Sequence, residues 1–167
     1  FVWFHGNAGN ISHRVENIME LKRNLDVNIF IFDYRGYGLS KGKPSEQGTY
    51  TDGEAAMAYL TSRKDLDSSK IEFFGRSLGC AVAAEMAIRH EPYALILESG
   101  FTSVREMAKQ IYPSVPGIGI FTKFFVKAKY DTASKLRRIT TPIMILHGDQ
   151  DMIVPYTIAV KLYETAK

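Results

Sequence analysis

The sequence predicts an α/β fold, a parallel sheet with helices on both faces. Three observations carry this. Short apolar runs alternate with amphipathic stretches along the whole chain, the order that gives βαβ units. The inner runs are apolar without alternation, as in strands covered on both sides. Turn residues cluster directly after each run, where open parallel sheets keep their chemistry.

Taken in order, Phe1 to His5 is a strand that ends at Gly6. Ser12 to Leu25 places Val15, Ile18, Met19 and Leu25 near helical spacing, with Ser12 as N-cap. Asn28 to Tyr34 is a buried strand. Thr51-Asp-Gly-Glu54 is a capping box that opens a helix to about Arg63. Lys70 to Gly75 is a third strand. Leu78 to His90 is a helix whose Gly79, Val82, Ala83, Met86 and Ala87 form one small-residue face, suited to lying close on a sheet. Tyr93 to Glu98 and Pro142 to His147 are the fourth and fifth strands. Tyr156 to Ala166 is a last helix, with Ala159, Leu162, Tyr163 and Ala166 on one face. The reading is one domain over 1–167, with an irregular, cap-like insertion at about 103–138.

Composition bounds the function. The 167 residues are 46% hydrophobic and 23% charged, which supports a packed core and excludes disorder. Lys plus Arg number 21 against 18 Asp plus Glu, and the excess of 3 is spread along the chain, so nothing points to nucleic acid. Cys80 is the one cysteine, which rules out an internal disulfide and a Cys-rich zinc site. No apolar run reaches the roughly 18–20 residues of a membrane span. The chain opens on an apolar strand without Met and stops at Lys167 at the end of a helix. It is therefore expected to be a piece of a longer chain, which leaves compartment and oligomeric state unpredicted.

The turns carry the chemistry. His5-Gly6-Asn7-Ala8-Gly9-Asn10 is a tight turn whose backbone N–H groups can hold a developing oxyanion; it also reads as a plain strand-to-helix turn. Asp33 to Ser40 resembles a dinucleotide fingerprint only superficially. Gly42 comes one residue late and Lys43-Pro44 follows instead of a helix, so no cofactor is expected. Gly75-Arg76-Ser77-Leu78-Gly79 is Gly-x-Ser-x-Gly between a strand and a helix. A nucleophilic serine must stand on a sharp turn, and the glycines at −2 and +2 let neighbouring backbone approach. The turn also aims the Leu78 N–H at the reacting oxygen. Glu98, at the end of the fourth strand, reads as structural, bonded to turn N–H groups. After the fifth strand, Asp149 and Asp151 compete to orient a histidine. Asp151 lies deeper, ahead of Met152-Ile-Val-Pro155, and Asp149 supports the turn.

These four motifs, in this order, resemble the α/β-hydrolase superfamily, and most of all the Bem46-like serine hydrolases with their abhydrolase-domain relatives. The likeness covers almost the whole chain, least well from Ile111 to Tyr130. It implies a Ser–Asp–His triad with Ser77 as nucleophile and Asp151 as acid. The Leu78 N–H matches one oxyanion donor. The second comes from the turn after Gly6, at Asn7, with its neighbour Ala8 as the alternative. Asp33 to Ser40 matches a loop that shapes the floor of the site. No metal or organic cofactor is implied. The substrate class is a small-molecule or lipid-like carboxylic ester or thioester; a peptidase or amidase using the same machinery, and a non-catalytic binding module on the same fold, are the alternatives.

One departure stands out. In this family the histidine follows one further strand after the acid. None of His5, His13, His90 or His147 holds that position. The residues thus match the middle of such a domain, without its first strands and its last strand and base. The expectation for residues 1–167 alone is weak activity and a tendency to aggregate through exposed apolar edges.

Two features remain. The insertion is apolar and aromatic from Ile111 to Val126, then basic at Lys127 and Lys129. It reads as a cap packed on the core, or as a lid that lines an acyl pocket or touches lipid through Phe124 and Phe125. Cys80 reads as a small apolar core residue rather than a reactive thiol.

Overall fold

The computed structural model describes residues 1–112, 114–117 and 126–166. Five strands form one parallel sheet: β1 (Val2–Phe4), β2 (Phe30–Ile31), β3 (Glu72–Arg76), β4 (Ala94–Glu98) and β5 (Ile143–Leu146). Their spatial order is β2-β1-β3-β4-β5. The helices are α1 (Val15–Asn24), α2 (Glu46–Ser62), α3 (Leu78–His90), α4 (Val104–Ile111), α5 (Thr132–Leu136) and α6 (Tyr156–Ala166).

Strand alternation divides the sheet into two faces. Val2, Phe4, Phe73, Leu95 and Leu97 enter the main core with Met57 and Leu60 of α2 and Val82, Ala83 and Met86 of α3. Trp3 and Phe74 point to the other face, where Asn17, Leu21 and Asn24 of α1 line a groove beside them. The predicted two-sided sheet is therefore present. The two sides differ in depth, because α1 buries none of its residues: Val15, Met19 and Leu25 are all exposed. The apolar stripe expected of this helix rests against the sheet without being enclosed by it.

Several boundaries differ from expectation. The helix expected from Thr51 begins at Glu46, capped by the Ser45 hydroxyl accepting from the Gly48 N–H (3.1 Å). Thr51 lies inside it and returns its hydroxyl to the Gln47 carbonyl (3.0 Å). Gly48 and Gly53 lie inside this helix, and both are sites of close approach. A Cβ at Gly48 would meet Arg35 Cδ at 2.6 Å, and one at Gly53 would meet Met86 Sδ at 2.8 Å. Ser12 does not cap the first helix, whose N-cap position is Arg14 with no side-chain cap. Asn10 accepts from the Ser12 N–H and opens a 3-10 turn, Ile11–Arg14, ahead of α1. The second strand pairs only at Phe30 and Ile31, far less than Asn28 to Tyr34. On α6 the buried residues are Ile158, Ala159 and Leu162, while Tyr163 is exposed. The insertion is not wholly irregular, since it holds α4 and α5. Phe124 and Phe125, on which the lid reading rests, lie outside the described residues.

Candidate active site

The site is built on the carboxyl ends of the strands. Ser77 follows β3 with φ 53° and ψ −116°, a left-handed conformation that strains any residue with a Cβ. The fold holds it there by close packing. A Cβ on Gly79 would lie 1.8 Å from the Phe4 carbonyl oxygen, and one on Gly75 would lie 2.7 Å from Cys80 Cα and the Gly79 oxygen. Both glycines of the motif are therefore steric requirements, and they seat α3 directly on β1 and β3. The Ser77 N–H donates to the Glu98 carbonyl (2.9 Å), which pins the turn to β4.

Ser77 occupies the N-cap of α3, yet its hydroxyl makes no capping bond. An N-cap serine ordinarily accepts from an N–H of the first turn. Ser45 does so on α2, and Ser103 does so on α4 by accepting from the Glu106 N–H (3.2 Å). Both have extended backbone, with φ −155° and −166°. At Ser77 the positive φ removes the hydroxyl from that duty. The Leu78 N–H lies in the first turn of α3, among the donors that helix geometry leaves without intrahelical partners.

The turn after β1 comes up against Ser77. A Cβ at Gly6 would be 3.3 Å from Ser77 Cβ. Asn7, Ala8 and Gly9 are exposed, and Ala8 and Gly9 are both left-handed, with φ 65° and 68°. Beneath them His5 is fully buried between Tyr34 and Asp33, its Nε2 3.4 Å from Asp33 Oδ1. Burial holds its pKa below the ordinary histidine value.

Asp151 lies two strands away, after β5. Its Oδ1 accepts from the Ile153 and Val154 N–H groups (both 2.8 Å), and the Ser99 hydroxyl lies near enough to favour its charged form. Burial pushes its pKa up. The bonds from Val154 and Ile153, together with Ser99 and the nearby His147, outweigh that and leave it below the ordinary carboxylate value. Ser99 follows β4 and is itself left-handed at φ 50°. Asp149 is exposed on the same turn.

The four histidines have other partners. His147 donates from Nε2 to the Val154 carbonyl (2.8 Å), with Asp151 Oδ2 at 3.7 Å. His90 bonds Glu54 of α2 (2.9 Å), and His13 Nδ1 accepts from the Asn10 N–H (3.2 Å). His5 donates from Nδ1 to the Gly6 carbonyl (2.8 Å). Glu98 turns its carboxylate to Arg76 (3.4 Å) rather than to turn N–H groups. Cys80 is fully buried and donates to the Gly75 carbonyl; burial pushes its thiol pKa far up, so it is inert core. Among the described residues no group of His, Cys, Asp and Glu is placed to hold a metal ion, and no helix is long and apolar enough to cross a membrane.

Sequence reasoning missed Ser99, although it follows a strand end directly, where that rule looks for function. It also left Tyr37 within a general loop, with nothing in the sequence to link it to Asn7.

The model of the prolyl oligopeptidase family matches residues 15–167. The chain belongs to the prolyl oligopeptidase family. Its fold is that of the α/β-hydrolases. The solved α/β-hydrolase from Vibrio vulnificus superposes with a TM-score of 0.82 over 99% of this chain and 61% of that one, at 23% identity. In sequence the chain is 41% identical over 165 residues to the α/β-hydrolase domain-containing protein WAV2 of Arabidopsis thaliana, covering 92% of this chain and 53% of that protein. It is 36% identical over 158 residues to the protein bem46 of Schizosaccharomyces pombe, covering 92% of this chain and 52% of that one. The Bem46-like resemblance carried by the motifs thus stands. The chain spans about half the length of the curated relatives it matches. Family membership supports hydrolase chemistry in broad terms.

Proposed function

We propose that this prolyl oligopeptidase family member is a serine hydrolase that cleaves carboxylic esters or thioesters through an acyl-enzyme. The observation that carries the reading is Ser77, an N-cap serine held at φ 53° with its hydroxyl released from capping. Its Oγ attacks the carbonyl carbon. The proton passes to a histidine supplied from outside residues 1–167. The negative oxygen of the tetrahedral intermediate is met by the N–H groups of Leu78 and Asn7. The carbon–oxygen or carbon–sulfur bond then breaks, the alcohol or thiol leaves with the proton, and water releases the acid and restores Ser77. Asp151, ionised at neutral pH, orients that histidine and stabilises its charged form. The substrate is a small-molecule or lipid-like ester.

The family's peptidase name favours a second reading, amide cleavage by the same residues. Parallel assay of p-nitrophenyl acetate and a p-nitroanilide peptide separates the two, and the first is expected to dominate.

The test of the chemistry is intact mass after treatment with a fluorophosphonate, on the full-length protein and on residues 1–167. One adduct on the full-length form, lost in Ser77→Ala and faint on 1–167, is expected. A folded full-length protein that takes no adduct would overturn the triad and leave a binding module.

A further inference from the structure

We propose that Tyr37 is a positioning residue for the oxyanion turn. Its hydroxyl donates to Asn7 Oδ1 at 2.6 Å and so holds the turn after β1 in register with Ser77. The inference rests on the hydrolase reading above.

The turn needs a brace. Asn7 to Gly9 are exposed, and Ala8 sits in a left-handed conformation that costs a non-glycine residue about 1 kcal/mol or more. An unbraced turn of this kind relaxes. Its start abuts the nucleophile at Gly6, so relaxation moves any donor at Asn7 relative to Ser77. Misplacement by about 1 Å can cost 100-fold in rate. Two braces act on the far part of the turn. Arg14 donates to the Ala8 carbonyl (2.9 Å), and Asp33 accepts from the Ile11 N–H (3.0 Å). Tyr37 acts on Asn7 itself.

Tyr37 is well suited to that task because it is fixed on its own side. Its ring packs edge-on against His5 (centroids 5.4 Å apart) and Tyr34 (5.9 Å). Its N–H donates to the Tyr34 carbonyl, and its carbonyl accepts from the Ser40 N–H, both at 2.9 Å. The residue after Tyr37 is closed in as well: Gly38 has φ 52°, and a Cβ there would fall 2.1 Å from Asp33 Oδ2. The hydroxyl is therefore presented from a rigid support. Burial raises the phenol pKa, so it stays a donor through the working range.

The test is steady-state hydrolysis of p-nitrophenyl acetate by the full-length protein. Tyr37→Phe keeps both ring contacts and removes only the donated hydrogen bond. Its kcat should fall about 10-fold, with KM within about twofold and Tm unchanged, and fluorophosphonate labelling of Ser77 should slow by the same factor. Asn7→Ala removes the acceptor but keeps the backbone N–H, and should show a loss of the same size. The double variant should be no slower than the slower single one, since both remove one bond. Parental kcat in Tyr37→Phe, a rise in KM alone, or losses that multiply in the double variant would each overturn the proposal. If Tyr37→Phe unfolds, Asn7→Ala decides by the same readouts. An absent Ser77 adduct on the parent protein would overturn the hydrolase reading instead, so the two failures are distinguishable.

Discussion

The N-terminus of α3 and the N-termini of α2 and α4 carry the same residue type in the same helical position. Ser45 and Ser103 approach their helices with extended backbone and spend their hydroxyls on helix N–H groups. Ser77 approaches with positive φ, and its hydroxyl caps nothing. One backbone angle separates a structural serine from a candidate nucleophile. That angle is set by neighbours rather than by Ser77 itself, through the two glycines that let α3 settle onto β1 and β3. A strained residue can persist only where packing over-determines it.

The comparison is broken most directly at Ser77. In the full-length protein, Ser77→Ala should cut ester turnover by about 10⁴–10⁶ while leaving Tm unchanged, because no cap is lost and alanine keeps the Cβ that the positive φ strains. A Tm drop of the size a lost cap causes would show that Ser77 is a structural N-cap after all. Asp151→Asn should cost about 10⁴ in kcat. It should also destabilise the turn after β5 at neutral pH. The Asp151 pKa is lowered in the folded state, so its contribution is present above the unfolded carboxylate range and vanishes as pH falls through the folded value. The gap in Tm between parent and variant should close in acid; a gap independent of pH would count against the charged turn. Gly79→Ala should cost more than about 4 kcal/mol in denaturant unfolding, since its Cβ would strike the Phe4 carbonyl. Ser45→Ala should show the smallest effect, about 1 kcal/mol, with turnover unchanged. Lost turnover there would mean that the two kinds of serine are not separable.

What the sequence revealed follows the range of the interactions involved. The five strands were legible because continuous apolar runs report burial on both faces. The elbow was legible because its requirements, Gly75, Ser77 and Gly79, are adjacent in the chain. The start of α2 was not. The capping box at Thr51 is the local signal, and the contacts of Gly48 with Arg35 and of Gly53 with Met86, partners distant in sequence, leave no mark on it. The exposure of α1 was hidden for a similar reason: helical periodicity says which residues share a side, not how much lies over them. Asp151 could be ranked over Asp149 from local polarity, but the influence of Ser99 on it joins the ends of two strands and left no local mark. The Tyr37–Asn7 contact spans thirty positions and is invisible to any window.

Trp3 is the one tryptophan of the chain. It lies in β1, is 1% exposed, and meets the Phe74 ring edge-on at 5.0 Å. Its indole N–H has no hydrogen-bond partner in the described residues. An indole so shielded from water emits toward the blue, and its emission shifts to the red once the strand is released. The unmodified chain therefore carries its own optical gauge inside the sheet, four residues before Asn7. Stopped-flow emission can time the docking of β1 onto β3 without any added dye, and the nine tyrosines supply an energy-transfer signal for the compaction around it.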